Sequence, residues 1–382
     1  MSSRVPPPSV FLEMDRAKRE AKAKGLPLLD LSIGSTDLLP PRPPLEALKA
    51  ALDDPLTYGY CLKSCTLAFL EAAVAWFHGR FGLELDPTSE ALSLIGSQEG
   101  LAHLLLALTE PEEGLLLPEV AYPSYFGAAQ VAGLKAWPIP LREDLLPDFS
   151  QIPQEALRKA RVLLLNYPNN PTGRVAPRAF LEEALAFAEA QGLWLIHDNP
   201  YVDQVFFGRA ESALALGGKG ARVVELFSLS KSYHLAGFRL GFALGHREAI
   251  RALEAVKSAV DFNPYAGILR MGIVALQTPP GVLQGYAKTY ARRAESLYEA
   301  LKETLRMRPP EGTMYLWGRL PEGLNDLEFA KRLVLKTGLA LSPGQGFGPG
   351  GKGYVRLALV RPEEDLLRAA EILKTFLKEA YD

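Results

Sequence analysis

At 382 residues the chain exceeds one ordinary domain and suits one large domain joined to a smaller one. Apolar residues supply 48% and charged residues 23%, which gives ample core and excludes a disordered chain. The net charge of −2 offers no field for nucleic acid or an anionic membrane, and no apolar run approaches the roughly 18 residues of a membrane helix.

The start, MSSRVPPPSVFLEMDRAKRE, lacks the apolar core of a signal peptide, so a cytoplasmic protein is expected. The proline runs Pro6–Pro8 and Pro40–Pro44 read as extended linkers. Cys61 and Cys65 are too few for a disulfide framework and suit a reducing compartment. His78, His103, His197, His234 and His246 are scattered, and no metal site is expected. Thirty prolines, two cysteines and only six asparagines fit selection against thermolabile residues, as in a thermophilic source. Four of those asparagines, Asn166, Asn169, Asn170 and Asn199, fall within 34 residues of one another. Where a residue type is avoided, such clustering marks a place that needs the side-chain amide.

From Pro44 to about residue 283, short apolar runs alternate with helical patterns. The runs Leu92–Ile95, Leu115–Leu117, Val162–Leu165, Leu193–His197, Val223–Phe227 and Arg239–Leu244 read as strands. Between them lie helical stretches such as Gly100–Leu108 and Arg178–Gln191. This pattern predicts an α/β fold, a mostly parallel sheet covered by helices. Beyond residue 283 a charged helix, Gln284–Leu305, precedes turn-rich segments and a closing helix, Glu363–Tyr381. The expected division is a large domain over 44–283 and a discontinuous α+β domain built from 1–43 and 284–382.

In an open parallel sheet, ligands bind beyond the carboxyl ends of the strands. Ser97 and Gln98, Asn170, Asp198 and Lys231 each follow a predicted strand, so one rim gathers them. Their types suit pyridoxal 5'-phosphate. Lys231 can bond its aldehyde as a Schiff base, while the helix opening at Ser97 and Gln98, with Ser228, Ser230 and Arg239, can hold its phosphate. A buried Asp198 would keep the pyridine nitrogen protonated, Asn170 and Tyr201 can bond the phenolic oxygen, and Tyr122 can stack on the ring. Singly, each has a plain alternative: Asp198 as a helix cap, the Asn/Pro/Gly string as a turn, Tyr122 as a core aromatic, Lys231 as a solvated charge. Together, in this order, they do not read as chance.

The strings NNPTG (169–173), DNPY (198–201) and SLSKSYHLAGFRLG (228–241) resemble the class I/II aminotransferases of pyridoxal-phosphate fold type I, and the likeness runs from LDLSIGSTDLLPP to GKGYVRLALV. The resemblance implies that Lys231 holds the cofactor and then shuttles the proton, with Ser97, Gln98, Ser228 and Arg239 at the phosphate. It places Arg356 and the backbone of Gly34 on the substrate's α-carboxylate. It also maps Tyr60 to a tyrosine that reaches the neighbouring subunit's phosphate, implying a homodimer. The implied reaction is ping-pong transfer of an L-amino acid's amino group to a 2-oxo acid, with 2-oxoglutarate as acceptor. Gln98 stands where aspartate-specific members carry a lysine, which favours alanine, other neutral amino acids, diaminopimelate or its succinylated form; Cys65 replaces a usual glycine. Ser35, Thr36, Gln98 and Tyr315 are the nominated substrate-pocket residues.

The rival on the same scaffold is a carbon–sulfur β-lyase; a rival of another class is a non-catalytic, cofactor-binding regulator. The segment Gly346–Lys352 matches G-x4-GK, but Gly353 follows where a P-loop needs Ser or Thr, so a Gly/Pro loop beside Arg356, taking part in domain closure, is expected instead.

Overall fold

The computed structural model describes residues 4–6 and 9–381; apart from Pro6, the Pro6–Pro8 linker lies outside the described residues. Its centre is a seven-stranded sheet of β1 (Ala91–Leu94), β2 (Gly114–Pro118), β3 (Lys135–Ile139), β4 (Ala160–Asn166), β5 (Trp194–Asp198), β6 (Val223–Ser228) and β7 (Gly241–Gly245). The spatial order is β1-β7-β6-β5-β4-β2-β3, parallel throughout except for β7, which runs antiparallel to both neighbours. Alternate strand residues serve two separate cores. Leu163, Leu165, Leu195 and Phe227 join one, and Val162, Leu164, Ile196 and Leu226 the other. Burial on both faces is why these strands read as continuous apolar runs, each hidden leucine contributing about 2 kcal/mol of transfer free energy.

β3 escaped the sequence reading because it is an edge strand, half exposed and interrupted by Pro138. An edge position tolerates a proline that cannot donate to a ladder. β7 begins two residues later than expected because Arg239 takes a left-handed conformation, φ 52°, and leaves the strand line.

A second, antiparallel sheet holds β8 (Arg306–Met307), β9 (Tyr315–Arg319), β10 (Ser342–Pro343) and β11 (Tyr354–Ala358), in the order β10-β11-β9-β8. The helices that bear on the site are α1 (Val10–Ala23), α2 (Lys63–Phe81), α3 (Ser97–Leu108), α4 (Leu229–Ser232), α5 (Pro280–Leu301), α6 (Asp326–Thr337) and α7 (Glu363–Tyr381). α5 starts and ends four residues before its expected bounds, since Pro280 sits at its first turn, where its missing N–H is no loss. The chain's two ends meet. Leu29–Asp30 pairs in parallel with Leu339–Ala340, and Met14, Ala17 and Ala21 of α1 pack on Ala330 and Val334 of α6.

One expectation is corrected. Cys61 and Cys65 form a disulfide, with Cα atoms 5.2 Å apart. Residues four apart at a helix start lie one turn from each other, within the span such a bond needs, which composition could not reveal. His103 also has acidic neighbours the histidine spacing did not suggest, Glu99 and Asp261. The Lys257 ammonium is 3.4 Å from Glu99 and 3.0 Å from Asp261, so their charge is met by a cation of the chain itself.

Candidate active site

All strands but β7 bring their carboxyl ends to one rim. β7 runs the other way, so Arg239, just ahead of it, arrives at the same rim. A cavity of about 570 Å³ opens there, and Gly34, Ser97, Gln98, Tyr122, Asn170, Asp198, Tyr201, Ser228, Ser230, Lys231, Arg239 and Arg356 all line it. Of the expected site residues only Tyr60 lies elsewhere. It is 88% exposed, its ring edge-on to Phe262 at 5.6 Å. Of the nominated pocket residues, Gln98 and Tyr315 line the cavity, and Ser35 and Thr36 do not.

Lys231 sits in the short turn α4 directly after β6, and its Nζ donates to the Gly34 carbonyl at 2.5 Å. Gly34 must be glycine because a Cβ there would run into the Tyr315 ring. α3 opens at Gly96, φ 84°, with no side-chain cap, which leaves the first N–H groups of the helix unspent. A Cβ on Gly96 would strike the Arg239 guanidinium, so the glycine lets that cation lie against the helix start. Arg239 Nη1 also reaches Ser230 Oγ at 3.4 Å, and Ser228 Oγ accepts from the Ser230 N–H at 3.2 Å. Two hydroxyls, a guanidinium and a bare helix N-terminus thus converge, the donor set a phosphate dianion requires.

Asp198 ends β5 and is buried. Its Oδ2 accepts from the Tyr125 hydroxyl at 2.6 Å, while its Oδ1 has no hydrogen-bond partner among the described residues. Burial pushes its carboxyl up to about 6, against the pull of Tyr125, His197 and the nearby Ser97 hydroxyl. An orphaned, desolvated carboxylate oxygen fits the protonated nitrogen of a pyridine ring. Behind it, the buried His197 pairs with Glu225 at 3.1 Å, and Asn199 and Ser212 saturate that glutamate, tying β5 to β6.

Asn166 Nδ2 donates to the Asp198 carbonyl at 2.8 Å, and Asn166 Oδ1 accepts from the Asn170 N–H at 3.0 Å. All four clustered asparagines are buried, and each side-chain amide makes at least one hydrogen bond. Asn170 Oδ1 accepts from Arg356 Nη1 at 2.9 Å, leaving its amide NH₂ to donate. Arg356, only 5% exposed, also donates to the Ser32 carbonyl at 2.7 Å and lies 4.2 Å from the Tyr315 ring centroid. Its Nε is unsatisfied, and among the described residues no carboxylate pairs with it, with Arg239 or with Lys231. Tyr201 and Tyr315 share a hydroxyl contact of 3.1 Å. Burial pushes the Tyr315 hydroxyl up, but Lys231 and Arg356 outweigh it and leave its pKa below the ordinary value.

The Gly344–Gly353 loop forms two short turns, Gly344–Phe347 and Pro349–Gly351, and Phe347 lies 4.8 Å from the Arg356 guanidinium. It is a wall of the pocket. Sequence reasoning also missed Tyr125, Ser32 and Ser342. Tyr125 was findable, since it follows Tyr122 by three residues on one helix face. Ser32 and Ser342 act through a backbone carbonyl and a distant pairing, neither of which leaves a sequence mark.

The sequence matches the family model for aminotransferase class I and II over residues 27–373. Among curated relatives, an LL-diaminopimelate aminotransferase of Syntrophobacter fumaroxidans is 40% identical over 96% of both chains. The enzyme of that name from Aquifex aeolicus is 36% identical over 97% of each. A solved structure, described as a probable N-succinyldiaminopimelate aminotransferase from Thermus thermophilus, is 66% identical. It covers 96% of this chain and 100% of its own, with a TM-score of 0.94. The chain therefore belongs to the class I and II aminotransferases, pyridoxal 5'-phosphate-dependent transaminases of fold type I.

Proposed function

We propose that the chain moves the α-amino group of a diaminopimelate, free or N-succinylated, to or from a 2-oxo acid, with 2-oxoglutarate as the partner. The relatives' names supply the substrate class. The observation that carries the site assignment is electrostatic. Three cations without carboxylate partners among the described residues, and one orphaned carboxylate oxygen, surround a single cavity, a charge pattern completed by an anionic cofactor with a protonated ring and an anionic substrate.

Ser97, Gln98, Ser228, Ser230 and Arg239 would hold the cofactor's phosphate, Asp198 its ring nitrogen, Asn170 and Tyr201 its phenolic oxygen, and Tyr122 its ring face. When bound, it supplies the electron sink for breaking the Cα–H bond. Arg356 binds the α-carboxylate, and its own bonds to Asn170 and Ser32 fix the guanidinium plane before substrate arrives. Lys231 Nζ, held against Gly34, takes the α-proton and keeps it for return. Phe347 and Tyr315 cover the guanidinium and exclude water from the ion pair it forms.

We further propose a homodimer in which Tyr60 of each subunit reaches the other's phosphate site. Exposed Leu56, Tyr58, Tyr60, Leu62, Val260 and Phe262 supply apolar surface for it.

The test is covalent trapping. Borohydride reduction of the yellow holoprotein, followed by peptide mapping, should place the label on Lys231. Lys231→Ala should fold and bind cofactor yet lose amino transfer by at least about a thousandfold. A label on another lysine, or turnover surviving in the variant, removes the assignment.

A further inference from the structure

The cavity does not end at Arg356. Its far wall is α1, which contributes Asp15 and Lys18 beside the apolar Phe11 and Met14. Neither charged residue has a part in the chemistry described above. Lys18 is nearly buried, its side chain 11% exposed, and is held by Asp15 at 2.9 Å, Asp30 at 3.2 Å and Ser32 Oγ at 3.3 Å. Asp30 is fully engaged, because its Oδ1 also accepts from the Ser32 N–H at 2.8 Å and the Ser32 hydroxyl at 2.6 Å. Asp15 is the open member. Its side chain is 55% exposed, and one oxygen, Oδ1, faces Lys18.

Two features turn this group into a reader of substrate. Asp15, Lys18 and Asp30 together carry one net negative charge, so the wall attracts a cation more than it attracts an anion. Ser32 also links the wall to the carboxylate site, since its hydroxyl touches Lys18 while its carbonyl accepts from Arg356. One residue spans the gap, so the Lys18 and Arg356 cations stand within about 10 Å of each other, the reach of a six- or seven-carbon chain. The platform is rigid, because α1 is packed along α6 and pinned by the Lys331–Glu13 pair at 3.2 Å.

We propose that Asp15 reads the distal end of the substrate: it accepts from a free distal ammonium, while Lys18, its own donors spent on Asp15, Asp30 and Ser32, holds Asp15 in place. The pair selects a long diamino dicarboxylic acid with its far amino group unmodified. This inference rests on the transaminase reading above and sharpens its substrate.

Holoenzyme kinetics with LL-2,6-diaminopimelate and L-2-aminopimelate, which has the same chain without the distal amine, test it. In the unmodified protein kcat/KM should favour the diamine by about tenfold or more. Asp15→Asn should collapse that ratio toward one through KM, with kcat for the diamine changed less than twofold. Lys18→Met should narrow the same ratio, because Asp15 then loses the contact that orients it. If Lys18→Met does not fold, the exposed Asp15 position decides alone. A ratio of one in the unmodified protein, or a ratio that survives Asp15→Asn, overturns the proposal. Turnover of alanine but of neither pimelate overturns it while leaving the transaminase reading intact; turnover of no amino acid ends both.

Discussion

The two halves of the active site are built by different routes. The proposed cofactor side is assembled from Ser97, Asn170, Asp198 and Lys231, each at the end of a strand of one sheet or a few residues beyond it. The proposed substrate side joins Gly34 and Ser32, from near the start of the chain, to Tyr315, Ser342 and Arg356, from near its end. The first inherits its geometry from parallel strand pairing, which fixes every strand end at one rim. The second depends on the two chain ends meeting through the Leu29–Asp30 and Leu339–Ala340 pairing and the α1–α6 contact. The first is therefore set by sheet topology, whereas the second is set by contacts between residues remote in the chain.

Removing charge from the substrate side should produce the largest effect of those that separate the halves. Arg356→Leu should lower kcat/KM by about a thousandfold, since one charge-assisted bidentate contact to a buried carboxylate is lost. Cofactor binding, followed by absorbance, should hold within about threefold. A parallel collapse of cofactor affinity would show that the halves are not separable.

A smaller effect is expected on the cofactor side, in the cofactor-free protein. The Asp198 carboxyl, ordinarily near 3.8, is pushed up to about 6 by burial. Between those values the folded chain keeps a proton the unfolded chain has released. Stability therefore falls as pH rises through that window, by about 3 kcal/mol once both are past. His234 acts in the opposite sense, because burial holds it down at about 4 and stability is lost as pH falls from its unfolded value. Comparing the unmodified chain with Asp198→Asn cancels the histidine contribution. Urea midpoints should converge near pH 4 and separate above pH 6, with the variant the more stable. Parallel midpoints across that range would show that Asp198 is not desolvated.

The smallest effect should come from the contact proposed across the homodimer. Tyr60→Phe deletes one hydroxyl, so cofactor affinity should weaken about tenfold, the worth of one hydrogen bond to a phosphate. Sedimentation should still report a mass near twice 41.8 kDa. A monomer, or unchanged affinity, would confine the cofactor side to one chain.

Much of this was legible from residue order alone. Continuous apolar runs marked β1, β2 and β4 to β6 because strands buried on both faces need no polar alternation. The polar residues just after those runs marked the rim, and Lys231 and Asp198 drew their proposed roles from standing there together with the others. Tertiary structure decided whatever depends on partners remote in the chain: the reversed β7 that delivers Arg239, the hydroxyl of Tyr125 on Asp198, the disulfide at the start of α2, and the Ser32 bridge between Arg356 and Lys18. Local sequence sets propensity and pattern. Which groups meet across a separation of 324 positions, as Arg356 meets the Ser32 carbonyl, is settled only when packing closes the chain on itself.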